Sequence, residues 1–174
     1  MERGEIRLGP AVSVYLLTMA KSGPILGLDF GERRIGVAIS DGDRRVATGL
    51  ATLDLRKHPD PFKPLATFIA ERKVAGIVVG YPLRTDGVVK PGDKTEAVDA
   101  FVAELKARFG LPVHLEDEAF TSAMAEDSLR ARRRVKDRPR DARGFARQKA
   151  EVDRVAACFI LQDWLDQAEE RGET

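Results

Sequence analysis

The order of apolar and polar positions predicts a domain that begins with β-strands. Residues 25–30 and 34–40 are two apolar runs, and a turn containing Gly31 separates them. The pair Asp41-Gly42 is typical of a hairpin, and residues 45–53 alternate as a third strand does. Three strands joined by such short connections predict an antiparallel meander.

Farther along the chain, the pattern changes to helices alternating with strands. Residues 75–80 form a wholly apolar run, typical of a parallel strand covered on both faces, and residues 111–115 predict a shorter fifth strand. Helical character is predicted in four segments: residues 60–73, 96–109, 121 to about 132, and about 149 to 168.

This element order predicts an α/β fold with one five-stranded mixed sheet, three antiparallel strands followed by two parallel ones, flanked by helices. That order is found in ribonuclease H-like domains. The length of 174 residues is enough for one well-buried domain, which we assign to residues 23–170. We expect residues 1–22 to be a disordered N-terminal extension, with Met19 as an alternative start.

Charge is distributed unevenly along the chain. Residues 130–149 contain ten cations and two acids, a net charge of +8, although the whole chain carries only +1. Pro139, Gly144 and the lack of apolar periodicity predict a mobile loop. Because excess cations repel one another unless a polyanion is present, we expect this loop to neutralise phosphates. A solvated charged loop is the alternative. The predicted nucleic-acid contacts are Arg34, Arg84, Arg132, Arg133, Arg134 and Lys149.

The composition argues against several other classes of protein. Cys158 is the only cysteine, so an internal disulfide and a cysteine-rich zinc site are excluded, and its apolar neighbours predict a small core residue. His58 and His114 have no metal-binding companions close in sequence. No apolar run approaches the roughly 18–20 residues that span a bilayer, so we expect no membrane contact.

Three separated carboxylates are the candidate catalytic groups. Asp29 lies at the end of the first apolar strand, and Glu118 follows the fifth strand. We place Asp153 one turn into the last helix, on an otherwise apolar face. Each has a structural explanation by itself: a turn cap, a solvated strand end, and an acid favoured by a helix dipole. Strand alternation puts Glu116 and Glu118 on one face and Asp117 on the other.

Taken together, the three acids predict a metal site. If the first strand is central in the sheet, Asp29, Glu118 and Asp153 can converge at one end of it. A set of oxygen ligands suits Mg²⁺ or Mn²⁺ better than zinc. Two such ions can activate a water and stabilise the leaving oxygen in phosphodiester cleavage.

Four ordered motifs resemble those of the Holliday-junction-resolvase-like bacterial proteins, which are also described as nucleases of pre-16S ribosomal RNA. The resemblance covers residues 24–168, with the spacing of the family. The motifs are residues 28–41, 79–87, 117–122 and 152–162. This chain departs from the usual residues at three positions: Tyr81 replaces Leu, Arg84 replaces Asn, and Ala119 replaces Arg.

The resemblance implies a ribonuclease H-like fold and cytoplasmic maturation of the 5′ end of 16S ribosomal RNA, with a ribosomal subunit precursor as a possible partner. It implies Asp29, Glu118 and Asp153 as active-site acids, and further site residues at Gly31, Thr121 and Ser122.

Three other functions stay open. Cleavage of a four-way DNA junction would use the same site, and the residues contain no aromatic platform that distinguishes RNA from DNA. A non-catalytic ribosome-assembly factor would use the basic segment alone. A sugar kinase or chaperone-type ATPase shares the fold and the turn after Asp29, but such proteins need two such domains around the nucleotide.

Overall fold

The computed structural model describes residues 23–81, 94–117 and 142–172. It contains five strands in chain order: β1 (Ile25–Phe30), β2 (Arg34–Ser40), β3 (Ala47–Asp54), β4 (Gly76–Tyr81) and β5 (Val113–Asp117). The helices in this part of the chain are α1 (Phe62–Arg72), α2 (Lys94–Phe109) and α3 (Ala142–Glu170).

The five strands form one mixed sheet in the order β3-β2-β1-β4-β5. Strands β1, β2 and β3 pair antiparallel, whereas β4 pairs parallel to β1 and β5 pairs parallel to β4. The predicted α/β class and mixed sheet are therefore confirmed, and β1 is central, as the convergence of the acids requires. The carboxyl ends of β1, β3, β4 and β5 and the amino end of β2 all lie at one edge, which we call the site edge.

Two hydrophobic layers enclose the sheet. On one face, Leu26 and Leu28 of β1 pack in a cluster with Leu65 of α1 and Leu105 of α2. On the other face, α3 packs through Ala157, Ile160, Leu161 and Leu165 against Ile25 and Val78. Since side chains alternate along a strand, every second residue of β1 faces α3.

Helix α3 crosses the sheet diagonally. Its Ala150 carbonyl oxygen accepts a hydrogen bond from the Thr52 hydroxyl of β3 (2.6 Å), and farther along, Leu161 lies against Gly27 of β1. Near its carboxyl end, Gln167 donates to Glu116 of β5 (2.7 Å). One helix therefore connects both edge strands of the sheet through its contacts.

Most boundaries agree with the sequence within two residues, and β1 and β2 agree at both ends. Strands β4 and β5 have the predicted lengths but lie one and two residues closer to the site edge, where Tyr81 pairs with Asp117. The predicted extension at residues 1–22 and the predicted helix at residues 121–132 lie outside the described residues.

The predicted start of the last helix was wrong. Helix α3 begins at Ala142, so residues 142–149 are helical and do not belong to a mobile loop. Arg147 and Lys149 are exposed there, which explains the missing apolar periodicity. Arginine, alanine, glutamine and lysine are strong helix formers, so a solvated turn can continue a helix that packs farther along.

Candidate active site

Asp29 lies at the site edge, near the carboxyl end of β1, and its backbone pairs with Gly36 of β2. Gly27, two residues earlier, faces α3, because a Cβ added there would lie 2.6 Å from Cβ of Leu161. Strand alternation therefore places Asp29 on the α3 face too. The residue is half-buried, as expected of a polar residue at the end of a buried strand.

Asp153 reaches the same place from α3. A Cβ added to Gly36 would overlap the Asp153 carbonyl oxygen and would lie 2.6 Å from its carbonyl carbon. Helix α3 thus sits directly on the backbone of β2 at the residue that pairs with Asp29. The register of the hairpin and the packing of the helix together bring Asp29 and Asp153 to the same point of the sheet.

Asp153 is the twelfth residue of α3, three turns in, and not one turn in as the sequence suggested. The helix dipole acts within the first turn, so it does not explain an acid at this position. The ion pair with Arg34, the first residue of β2, does. Arg34 Nε donates to Asp153 Oδ2, and the two side chains are only 16% and 21% exposed.

The fifth strand separates its acids onto two faces, as alternation predicts. Glu116 faces α3, where its Oε1 accepts the hydrogen bond from Gln167, and burial raises the pKa of its carboxyl. Asp117 pairs with Tyr81 and therefore lies on the opposite face. Glu118, the third candidate acid, is the next residue and lies outside the described residues.

Some of the other predicted site residues lie among the described residues and some do not. Arg34 is paired with Asp153, and Lys149, four residues before Asp153 in α3, is exposed. Gly31, which the resemblance also implies, belongs to the tight β1–β2 connection, where its N–H donates to the Arg34 carbonyl (2.9 Å). The remaining predicted residues lie outside the described part of the chain: Arg84, Thr121, Ser122, Arg132, Arg133 and Arg134.

Among the described residues, no three His, Cys, Asp or Glu side chains come together as a metal-binding group. Asp29 and Asp153 carry oxygen donors of the kind that Mg²⁺ and Mn²⁺ prefer, and the third predicted ligand, Glu118, lies outside the described residues. Cys158 is half-buried against the α3 layer, and burial raises the pKa of its thiol, as expected of a structural cysteine.

Sequence reasoning missed two features of this region. The first is Gly36, whose lack of a side chain lets α3 approach β2. The second is a group of basic residues around the end of β3: Arg56, Lys57, His58 and Arg147. Neither has a local signal, because both depend on the register of β2 with β3 and on where α3 begins.

Comparison with known proteins gives one family and a set of close relatives. Residues 23–167 match the family RuvX, described as Holliday junction resolvase. A protein of Chloroflexus aggregans named "Putative pre-16S rRNA nuclease" is 42% identical over 142 residues, which cover 82% of this chain and 92% of the relative. A protein of Crocosphaera subtropica with the same name is 38% identical over 143 residues, with the same two coverages.

Solved structures resemble the chain more distantly. Thermus thermophilus RuvC in complex with a Holliday junction substrate superimposes with a TM-score of 0.48 and 11% identity, covering 87% of this chain and 97% of that one. Fowlpox virus resolvase bound to Holliday junction DNA gives 0.49 and 11%, covering 83% and 97%. The family assignment therefore rests on the sequence matches.

In the described part of the chain, every helix is too short or too polar to cross a lipid bilayer.

Proposed function

Because this chain belongs to the RuvX family of Holliday junction resolvases, we propose that it is a nuclease that hydrolyses phosphodiester bonds with Asp29, Glu118 and Asp153. One observation carries the proposal. Asp29 pairs with Gly36, and the backbone of Asp153 lies on Gly36, so two acids 124 positions apart in the sequence meet at the site edge.

Arg34 holds Asp153 in position. A carboxylate that is one-fifth exposed must be compensated by hydrogen bonds or by a positive charge, and the Arg34 guanidinium provides both. We also propose that this guanidinium contacts a phosphate of the substrate near Asp153. Arg34 is therefore a positioning residue in this proposal, and the carboxylates are the catalytic ones.

Glu118 is the third acid of the proposal, and it lies one residue past the end of β5. Glu116 faces α3, and a continuing strand would direct the side chain two residues later to the same face. That is the face on which Asp29 and Asp153 meet. Asp117 lies on the other face of the sheet, so its substitution serves as the control for substitution of Glu118.

The proposed cofactor is Mg²⁺ or Mn²⁺, held by the oxygens of these three acids. When bound, such ions activate a water and stabilise the leaving oxygen of the phosphodiester. The three acids would hold the ions in position. Because Asp29 and Asp153 are half-buried, fewer water molecules compete with the ions for their carboxylate oxygens.

The proposed substrate is the 5′ end of precursor 16S ribosomal RNA in the cytoplasm, bound free or within a ribosomal subunit precursor. The names of the relatives support this choice, since both are called nucleases of pre-16S rRNA. The family description favours a second candidate, cleavage of a four-way DNA junction. Both reactions use the same carboxylates.

The test incubates the purified full chain with a 16S precursor fragment and with a four-way DNA junction, each with and without Mg²⁺ or Mn²⁺. We expect metal-dependent cleavage, with the RNA preferred. Asp29→Asn, Glu118→Gln and Asp153→Asn should each remove most of the cleavage and keep most of the binding, because each change removes a ligand charge but preserves shape.

Asp117→Asn is the matched control, and it should cleave at nearly the parental rate. Cleavage lost in Asp117→Asn but kept in Glu118→Gln would show that the wrong one of these two neighbouring acids was chosen. Binding without cleavage of either substrate at any metal concentration would favour the non-catalytic assembly factor.

A further inference from the structure

A basic cleft of about 560 Å³ adjoins the candidate active site. It lies between the end of β3, the segment that follows β3, and the first turns of α3. Its basic lining residues are Arg34, Arg56, Lys57, His58 and Arg147. These residues come from three separate parts of the chain, and the register of Arg34 with Asp54 together with the packing of α3 brings them together.

Positive charge is in excess in this cleft. Its lining contains four arginine and lysine side chains and one carboxylate, that of Asp54. Asp54 is occupied by Arg56, which donates to it through Nε (3.1 Å) and Nη2 (2.9 Å), while the Arg56 backbone N–H donates to the same carboxylate (3.1 Å). Even after Asp153 neutralises Arg34, the charges of Lys57 and Arg147 remain.

The framework of the cleft is fixed by hydrogen bonds within the fold. The Thr52 hydroxyl donates to the Ala150 carbonyl, which ties the end of β3 to α3 beneath the cleft. The N–H groups of Lys57 and His58 both donate to the Asp54 carbonyl (2.9 Å each), which shapes the turn that carries them. A preformed turn lowers the entropic cost of binding a ligand.

Arg34 is shared by the cleft and the active site. Its guanidinium lines the cleft and also binds the carboxylate of Asp153. A polyanion bound in the cleft would therefore extend directly into the proposed cleavage site. An extended chain of phosphates fits this arrangement better than one isolated anion, because it can contact the cleft and the active site together through Arg34, which belongs to both.

We propose that this cleft is a phosphate-binding subsite that holds the backbone of the nucleic-acid substrate on the β3 side of the scissile bond. The inference rests on the proposed function, since it takes Asp29 and Asp153 as the cleavage point. The ligand class is a nucleic-acid strand read through its phosphates, without base recognition by the cleft. Lys57 and Arg147 make the contacts, because Arg56 is paired with Asp54 and Arg34 with Asp153.

The test measures binding of a single-stranded RNA oligonucleotide and of a four-way DNA junction by fluorescence anisotropy across a salt series. The test variant is Lys57→Ala with Arg147→Ala in the full chain. Each lost phosphate contact lowers the slope of log K against log salt by about 0.7 for a single strand and about 0.9 for a duplex. We expect a decrease of about 1.4 for the RNA and about 1.8 for the junction.

The matched control is Lys63→Ala with Arg72→Ala, two exposed cations of α1 on the other face of the sheet. It removes the same charge and should leave the slope unchanged. An equal decrease in both double variants would overturn the subsite, because only the net charge would then matter. Lys57→Glu with Arg147→Glu should weaken binding further, and circular dichroism checks that each variant is folded.

Failure of the subsite can be told from failure of the nuclease function. If both variants bind like the parent and only Asp29→Asn stops cleavage, the subsite is wrong and the function stands. If the parent cleaves nothing but the cleft variant loses its salt slope, the nuclease function is wrong and the subsite stands. In an active enzyme, the cleft variant should raise KM with little change in kcat, because the lost contacts are made before and during the reaction alike.

Discussion

The backbone of Asp153 lies so close to Gly36 that no side chain larger than hydrogen fits between them. A Cβ at Gly36 would overlap the Asp153 carbonyl oxygen and approach the carbonyl carbon to 2.6 Å. Both obstacles are backbone atoms of a helix, so they cannot rotate away as the end of a flexible side chain can. The position of the acid on α3 and the absence of a side chain on β2 are therefore one structural feature.

Gly36→Ala should lower the free energy of unfolding by about 1–3 kcal/mol, the usual cost of overpacking, because α3 must move away from β2. Cleavage should fall as well, since Asp153 moves with the helix. Urea unfolding gives the first quantity. Gly42→Ala is the control, because a Cβ there meets nothing within 4 Å. Equal stability of the two variants would show that the helix is not held at Gly36.

The ion pair between Arg34 and Asp153 should stabilise the fold more than an exposed pair does. We expect a coupling energy of about 1–3 kcal/mol from the cycle of Arg34→Gln, Asp153→Asn and the double variant, because both groups are largely buried. The comparison is Arg108 with Glu104, which are about half exposed and should give roughly 0.3–0.5 kcal/mol. Equal coupling in the two cycles would contradict the structural role of Arg34.

Asp54 should titrate with a pKa of about 2, because the side chain of Arg56 and then its backbone N–H donate hydrogen bonds to the carboxylate. A lowered pKa means that the pair stabilises the fold fully above about pH 4, and that this contribution is lost as the pH falls from about 4 to 2. Carboxyl-carbon NMR measures the titration. Arg56→Ala should raise the pKa, and Arg56→Lys should raise it less; an unchanged value in Arg56→Ala would exclude the proposed cause.

The arginines at 132–134 should act on affinity and not on turnover. Replacing Arg132, Arg133 and Arg134 by Ala should flatten the salt dependence of nucleic-acid binding by up to about 3 units of slope, if all three contact phosphates. Salt-series binding measures the change, and kcat with saturating substrate should stay near the parental value. An unchanged slope would identify this segment as a solvated charged loop.

Local sequence was enough to predict the strands at residues 25–30 and 34–40, since each has a continuous apolar run with a turn residue between them. The antiparallel meander and the parallel strand β4 follow from the same patterns and from short connections. Asp29 could be singled out because an acid is unusual at the end of a buried strand. Glu118 after the fifth strand and Asp153 on an apolar helix face could be singled out in the same way, and the family motifs imply the same three acids.

Tertiary structure decided the features that depend on residues distant in the chain. The charged first turns of α3 have no apolar periodicity, so their sequence does not predict a helix. They are helical as the continuation of the part that packs on the sheet from Ala150 onwards, and α3 therefore begins at Ala142. The partner of Asp153 is Arg34, 119 positions away, and the gap beside Gly36 exists only when helix and hairpin are assembled. Sequence patterns report local periodicity, whereas a site is built from contacts whose geometry depends on register and on helix placement.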